Sequence, residues 1–282
     1  MNWITEEKLP VGRWIENGFD WLIDNGEPVF DAISESLSTL IHGLTNSLIW
    51  IPPWVLILAL ACLSFWRHRN WGIVAYTVAA FLLIWNMGYW EATMATLSLV
   101  LYATVLCVLI GVPVGIYVAH KPWLYRGVQP VLDLMQTIPP FVYLIPALTM
   151  FGLGVVPGVI STVIFAIAAP VRLTYLGITG VPTELIEAGK AFGCTRHQLL
   201  VRVELPAAMG SIGAGITQCI MLSLSMVVIA ALVGASGLGV PVVRALNTVD
   251  IAMGFEAGLA IVLLAIWLDR FFKHRQQAGS PG

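Results

Sequence analysis

Charged residues are scarce in this chain. Only 11% of its 282 residues are Asp, Glu, Lys or Arg, whereas 58% are hydrophobic and the mean hydropathy is +0.86. An ordinary soluble domain has about 25% charged residues. The few basic residues form no cluster interleaved with aromatic side chains, which excludes a nucleic-acid-binding protein. The composition is that of an integral membrane protein that contacts the lipid bilayer.

The sequence also lacks the patterns of metal, disulfide and nucleotide sites. Its four cysteines (Cys62, Cys107, Cys194 and Cys219) form no CxxC pair, and its five histidines have no metal-ligand spacing. No glycine leads into the Gly-Lys-Ser or Gly-Lys-Thr of a Walker A motif. No pairing of a nucleophile with a base is recognisable. We therefore expect a chain that is not an enzyme, binds no cofactor and relies on another polypeptide for any ATP hydrolysis.

Long apolar runs dominate the rest of the sequence. A helix needs roughly 18 to 20 residues to cross about 30 Å of hydrocarbon. The runs are continuous rather than alternating, which indicates helices and not a barrel. We predict an all-α integral membrane protein with about seven transmembrane helices, at approximately 48–66, 71–90, 93–118, 134–153, 156–178, 207–234 and 251–268.

The distribution of Lys and Arg predicts the orientation, because cytoplasmic loops retain positive charge. With the N-terminus outside, 11 of the 14 basic residues fall on the cytoplasmic side. This favours an external N-terminus and a cytoplasmic C-terminus. The chain then divides into an acidic amphipathic extension on the membrane surface (1–47), two additional spans (48–90), a core (91–270) and a basic cytoplasmic tail (271–282).

The longest internal loop, 180–206, is unusually charged. It cannot be a span, because each of its ionised side chains would cost about 2.5 to 3.5 kcal/mol at the bilayer centre. Pro182 and Thr183 predict the start of a short helix that runs through Ala191, and Gly193 then breaks it.

A second short helix follows in the same loop. Thr195, with Gln198 three residues later, is typical of a capping box, and Pro206 should limit the end of this helix. The loop therefore reads as a helical elbow at the cytoplasmic face. From the pattern alone, a solvated connector resting on lipid is an equally good interpretation.

The residue spacing of this elbow resembles the EAA signature of ABC importer permeases. That signature is Glu-Ala-Ala, three residues, Gly, nine residues, Ile, one residue, Leu-Pro. Every spacing matches, with glycine for the last alanine and valine for isoleucine. The resemblance implies that the elbow is a coupling helix that docks in a groove of a cytoplasmic ATPase subunit. The matching residues are Glu187, Ala188, Gly189, Gly193, Val203, Leu205 and Pro206.

The resemblance extends over about residues 90–270. Two stretches, 133–154 and 222–239, look like those of a smaller group within the family, the permeases for glycine betaine, proline betaine and choline. The resemblance implies a type I ABC importer permease core of five helices in the bacterial cytoplasmic membrane. It also implies a second permease copy, two ATPase subunits that hold ATP and Mg, and an external solute-binding protein. The implied substrate is a compatible solute that carries a quaternary ammonium group.

Three prolines interrupt the predicted fourth span and free backbone carbonyls that need other partners. Broken helices of this kind often line transport paths, although packing of a kinked helix is the alternative. Aromatic rings there could attract a quaternary ammonium by about 0.5 to 2 kcal/mol. Two residues of the sixth span offer further polar or polarisable groups, with packing again the alternative. The pathway candidates are Gln136, Thr137, Pro139, Pro140, Phe141, Tyr143, Ser223 and Met226.

Other residues suggest packing or anchoring roles. Gly111 and Gly115 form a GxxxG motif, which favours close helix packing. Arg172 and Glu256 are the ionisable groups nearest the hydrocarbon, where an interhelical partner is as good an explanation as substrate contact. The rival function is an ion-coupled secondary transporter that works without an ATPase. The sequence shows neither the inverted repeats nor the central carboxylate expected of one.

Overall fold

The computed structural model describes residues 10–273, and within that range every regular element is helical. The predicted basic tail therefore lies largely outside the described residues. Within these residues, one π-helical turn spans Leu200–Glu204, between the helix that ends at Leu199 and the helix that begins at Leu205. The α-helices are α1 Val11–Trp50, α2 Pro53–His68, α3 Trp71–Asn86, α4 Trp90–Ala119, α5 Pro122–Thr137, α6 Pro140–Phe151, α7 Val155–Ala166, α8 Ala168–Thr179, α9 Thr183–Ala191, α10 Arg196–Leu199, α11 Leu205–Ala231, α12 Gly239–Thr248 and α13 Ile251–Phe272.

Among the described residues, four helices are long and apolar enough to cross a membrane: Trp90–Ala119, Val155–Thr179, Arg196–Ala231 and Ile251–Phe272. They correspond to four of the predicted spans. The number rises to six if each of two sharply bent helix pairs is counted as one span. Helix α3 has 16 residues, which makes it about 24 Å long and shorter than the hydrocarbon layer. The exact count of seven and the orientation of the termini stay predictions.

The predicted fourth span, 134–153, is interrupted at its prolines, as expected. Helix α5 ends at Thr137, α6 begins at Pro140, and their axes differ by 95°. The prolines explain the break, because Ile138 and Pro139 each precede a proline and adopt an extended backbone with ψ of 129° and 133°. Across the bend, the Tyr143 hydroxyl donates a hydrogen bond to the Met135 carbonyl at 2.8 Å.

The amphipathic extension forms one long helix, α1, and its C-terminal half packs on the core. Ile41 is buried, and the Tyr102 hydroxyl of α4 donates to the Leu40 carbonyl at 2.8 Å. The ring of Phe30 meets the edge of Phe151 in α6, with centroids 5.5 Å apart. This part of the extension is therefore attached to the spans rather than only to lipid.

Helices α4, α7, α8 and α11 form the centre of the bundle. Gly115 of α4 is buried, and a Cβ atom there would lie 2.7 Å from Thr174 Cβ and 2.8 Å from the Val171 carbonyl oxygen of α8. At Gly111, a Cβ would lie 3.0 Å from Pro170 Cγ. The absence of side chains lets the two backbones approach closely, as the GxxxG motif predicts. This packing fixes α8, which leads directly into the charged loop.

Candidate functional site

The first arm of the elbow is helix α9. It begins after Pro182, ends at Ala191 and is followed by Gly193, whose φ is +76°. This left-handed conformation strains residues that carry a Cβ, so glycine is favoured there. The Gly193 amide donates to the Lys190 carbonyl at 2.9 Å, and the Cys194 amide donates to the Gly189 carbonyl at 3.1 Å. The predicted helix and its glycine break are confirmed.

The second arm opens with the predicted capping box. The Gln198 amide donates to Thr195 Oγ1 at 3.3 Å, and the Thr195 amide donates to Gln198 Oε1 at 2.9 Å. These reciprocal bonds satisfy amides that have no partner within the helix. The loop backbone is thus set by local interactions on both sides of Gly193.

The prediction that Pro206 ends the second helix was wrong. The chain passes from α10 through the π turn into α11, and Pro206 is the second residue of α11. A proline inside an α-helix clashes with the carbonyl four residues before it. The π turn immediately ahead has hydrogen bonds that span five residues, including that from the Leu205 amide to the Leu200 carbonyl, and it accommodates the proline. The second arm is therefore continuous with a 36-residue helix, Arg196–Ala231.

The two arms of the elbow pack against each other at Gly189. This residue is buried, and a Cβ atom there would lie 2.7 Å from Leu199 Cδ1 and 3.5 Å from Val203 Cγ2. Glycine at the third position of the Glu-Ala-Gly triad thus lets the arms pack directly on each other. Two residues of the predicted coupling set, Gly189 and Val203, are brought together, and Leu199 joins them as the only buried residue of α10.

The outer face of the elbow is both apolar and charged. Phe192 is 89% exposed, and Leu185 and Val201 are also exposed. Glu187 and Ala188 of the predicted set are exposed on the same arm as Leu185. Apolar side chains that protrude among charges at a loop are typical of a surface that binds another protein. We use the name elbow face for the exposed residues Leu185, Glu187, Ala188, Phe192 and Val201 of the two arms.

A side-chain contact that no sequence pattern predicted anchors the elbow to the bundle. Glu204, the last residue of the π turn, is 6% exposed, and its Oε2 lies 2.9 Å from His120 Nε2 at the end of α4. The other ring nitrogen of His120, Nδ1, lies 2.9 Å from the Ile116 carbonyl oxygen. A carbonyl only accepts, so Nδ1 donates to Ile116 and orients the ring with Nε2 towards Glu204.

The pathway candidates fall into two separate groups. Gln136, Thr137, Pro139, Pro140, Phe141 and Tyr143 lie at the bend between α5 and α6, where Phe141 is exposed and Gln136 is half-buried. Ser223 and Met226 of α11 are fully buried within the chain. No hydrogen bond joins the two groups within residues 10–273. Their role in a pathway stays a prediction.

Arg172 forms an ion pair with a residue of another helix. Its Nη2 lies 2.5 Å from Asp133 Oδ1, which links α8 to α5 just before the proline bend. The rings of Tyr125 and Tyr175 stack beside them. Across the described part of the chain, no group of three or more His, Cys, Asp or Glu side chains is suited to hold a metal ion.

Residues 111–277, which include the whole elbow, match the family described as "Binding-protein-dependent transport system inner membrane component". The chain belongs to this family. The permease is 46% identical over 263 residues to the glycine betaine transport system permease protein OpuAB of Bacillus subtilis, with 93% of each chain covered.

Two further relatives are also named as glycine betaine permeases. The permease is 45% identical to the glycine betaine/carnitine transport permease protein GbuB of Listeria monocytogenes, over 93% of this chain and 94% of the relative. It is 41% identical to the glycine betaine/proline betaine transport system permease protein ProW of Escherichia coli, covering 93% of this chain and 74% of that one.

Among solved structures, inward-facing forms of the MetNI methionine ABC transporter resemble the permease. The TM-score is 0.57 at 22% sequence identity, covering 62% of this chain and 88% of that chain. At this identity the likeness shows the fold alone. It supports the prediction of a type I ABC importer core in an all-helical membrane protein.

Proposed function

We propose that the permease is the transmembrane subunit of an importer for a quaternary-ammonium compatible solute such as glycine betaine, proline betaine or choline. A separate ATPase subunit drives alternating access, and the elbow face is its docking surface. The observation that carries this proposal is the closed, doubly capped elbow with its exposed Phe192. The names of the glycine betaine relatives support the solute class.

The elbow is built to transmit a displacement rather than absorb it. Its first arm continues from α8 through a three-residue connection, and its second arm is continuous with α11. The contact of Gly189 with Leu199 holds the arms together, and the hydrogen bond between Glu204 and His120 attaches the second arm to α4. A push on the elbow face would therefore move α8, α11 and α4 as one rigid unit, as alternating access requires.

The bend between α5 and α6 is the best candidate for the solute path. Two consecutive prolines leave carbonyl groups without helical donors, and Phe141 and Tyr143 place aromatic rings beside them. An aromatic face attracts a quaternary ammonium by about 0.5 to 2 kcal/mol, depending on how far the site is desolvated. The half-buried Gln136 adds a group that can hydrogen-bond a carboxylate.

The working assembly would contain two permease copies, two ATPase subunits with ATP and Mg, and an external solute-binding protein in the bacterial inner membrane. The rival is an ion-coupled transporter that needs no ATPase. Affinity purification from the native membrane separates the two: a tightly bound ATPase supports the importer, and ion-driven uptake by the permease without partners supports the rival.

Two substitutions test the elbow directly. Glu187→Lys reverses a charge on the elbow face, and Gly193→Asp places a Cβ at φ +76°. Both should lower solute uptake and solute-stimulated ATP hydrolysis in proteoliposomes, while membrane insertion stays at the wild-type level. Glu35→Lys, an exposed charge reversal on α1, is the matched control. Wild-type uptake and ATPase stimulation in both elbow variants would refute the coupling role.

A further inference from the structure

A cavity of about 590 Å³ lies away from the elbow, where the turn between α2 and α3 meets the end of α13. It is unrelated to the features on which the proposed function depends. The cavity is lined by residues at the N-terminus of α3 and by several cationic side chains. The lining residues are His68, Arg69, Asn70, Trp71, Ile73, Arg270 and Lys273.

The cavity is strongly cationic. Arg69, Arg270 and Lys273 carry fixed positive charges. No acidic residue lines the cavity. Asp269 Oδ2 lies 3.7 Å from Lys273 Nζ, and within residues 10–273 no carboxylate forms an ion pair with Arg69 or Arg270. Like charges held together at this density favour an anionic ligand.

The cationic groups are held by structure rather than scattered on a surface. The Arg270 guanidinium lies over the ring of Tyr76, 5.1 Å from its centroid. His68 Nε2 lies 3.0 Å from the Phe271 carbonyl oxygen. Arg69 ends α2 with φ of +47°, and its amide donates to the Phe65 carbonyl at 2.7 Å. A strained, hydrogen-bonded backbone at this position fixes the direction in which the arginine leaves the turn.

The start of α3 adds a polar contribution. Asn70 caps the helix by accepting a hydrogen bond from the Gly72 amide at 2.8 Å, and Asn70, Trp71 and Ile73 all line the cavity. The positive end of the helix dipole therefore points into the same space as the cationic side chains.

The surroundings of the cavity mark a membrane interface. Trp66 and Trp71 are both largely exposed beside it, at the ends of the apolar helices α2 and α3. Tryptophan concentrates at the level of the lipid headgroups. The excess of Arg and Lys at these helix ends is also typical of the cytoplasmic interface, where anionic lipids give the membrane a negative surface potential.

From these observations we infer that the cavity binds the headgroup phosphate of an anionic phospholipid. Arg69 and Arg270 supply the charge-assisted hydrogen bonds, the α3 N-terminus supplies the dipole, and Trp71 and Ile73 contact the glycerol and upper acyl region. A soluble phosphate would use the cationic groups but would gain nothing from the exposed tryptophans. The bound lipid would tie α2, α3 and α13 together at the interface.

The test uses the full-length permease in nanodiscs of phosphatidylcholine with added phosphatidylglycerol. Lipid retention is measured by native mass spectrometry of the released protein. The test variant is Arg69→Gln with Lys273→Gln, because both side chains are exposed and their loss leaves the Tyr76 contact intact. Arg126→Gln, an exposed arginine away from the cavity, is the control. Each charge removed should weaken phosphatidylglycerol retention about five-fold, or roughly 25-fold for the pair.

Retention by the wild type and by Arg126→Gln, together with loss in the double variant, supports the site. The double variant must keep the wild-type unfolding temperature in pure phosphatidylcholine, which shows that it is folded. Equal retention in wild type and double variant would overturn the inference, as would equal retention of phosphatidylcholine and phosphatidylglycerol. Displacement of the lipid by millimolar inorganic phosphate, or by an acidic peptide, would show a soluble anion or a protein segment as the ligand and would also overturn it.

Discussion

The contact between His120 and Glu204 offers the sharpest test of how the elbow is attached to the bundle. Replacing His120 with alanine leaves the Glu204 carboxylate, 6% exposed, without its hydrogen-bonding partner. The His120 side chain is 47% exposed, so water replaces part of what is lost. An unsatisfied buried polar group costs about 1 to 3 kcal/mol, and we expect a loss in this range.

The free energy of unfolding should be measured in mixed detergent micelles for His120→Ala, Glu204→Ala and the double variant. If the two side chains interact directly, the free energy of unfolding should fall less in the double variant than the sum of its decreases in the two single variants. The difference is the coupling energy, which should be at least about 1 kcal/mol. His42→Ala, an exposed histidine on α1, is the control and should be within about 0.5 kcal/mol of wild type.

The same variants test how ATP hydrolysis is coupled to solute import. Loosening the π turn from α4 should lower the amount of solute imported per ATP hydrolysed in the reconstituted importer, because part of the elbow displacement no longer reaches the bundle. Additive single losses, with a coupling energy near zero, would refute the role assigned to the pair. Unchanged import per ATP in a variant with reduced stability would confine that role to folding.

Three further changes test other parts of the structure. Gly115→Ala should destabilise the fold by about 1 to 3 kcal/mol through overpacking of α4 against α8, whereas Gly127→Ala, which meets open space, should not; thermal unfolding in detergent compares them. Phe192→Ser should reduce ATPase co-purification without changing the unfolding temperature, because Phe192 is almost fully exposed. Asp133→Asn should weaken the attachment of α5 to Arg172 and lower uptake, and solute-uptake assays would show no change if this ion pair were incidental.

The sequence predicted the elbow where local chemistry determines the backbone. Gly193, Thr195 and Gln198 act through positive φ and short-range hydrogen bonds, so their positions alone predicted one helix end and the next helix start. The close packing at Gly111 and Gly115 was predictable for a similar reason, because small residues at this spacing allow backbones to approach.

The sequence was less informative where distant parts of the chain decide the outcome. Pro206 looked like a helix end, because nothing in its neighbours shows that a π turn precedes it. The prolines predicted a break in the helix, but no local pattern predicts the 95° angle between α5 and α6. The partner of Glu204 lies 84 residues earlier in the chain, a separation at which no local pattern operates.

The central claim is that this permease imports its solute only when a separate ATPase acts on the elbow face. The most direct measurement is uptake of labelled glycine betaine into proteoliposomes that contain the permease, with and without the ATPase subunit, binding protein and enclosed Mg-ATP. We predict uptake only when all of these are present, and its loss in Glu187→Lys. Uptake by the permease without partners, driven by an ion gradient, would contradict the account.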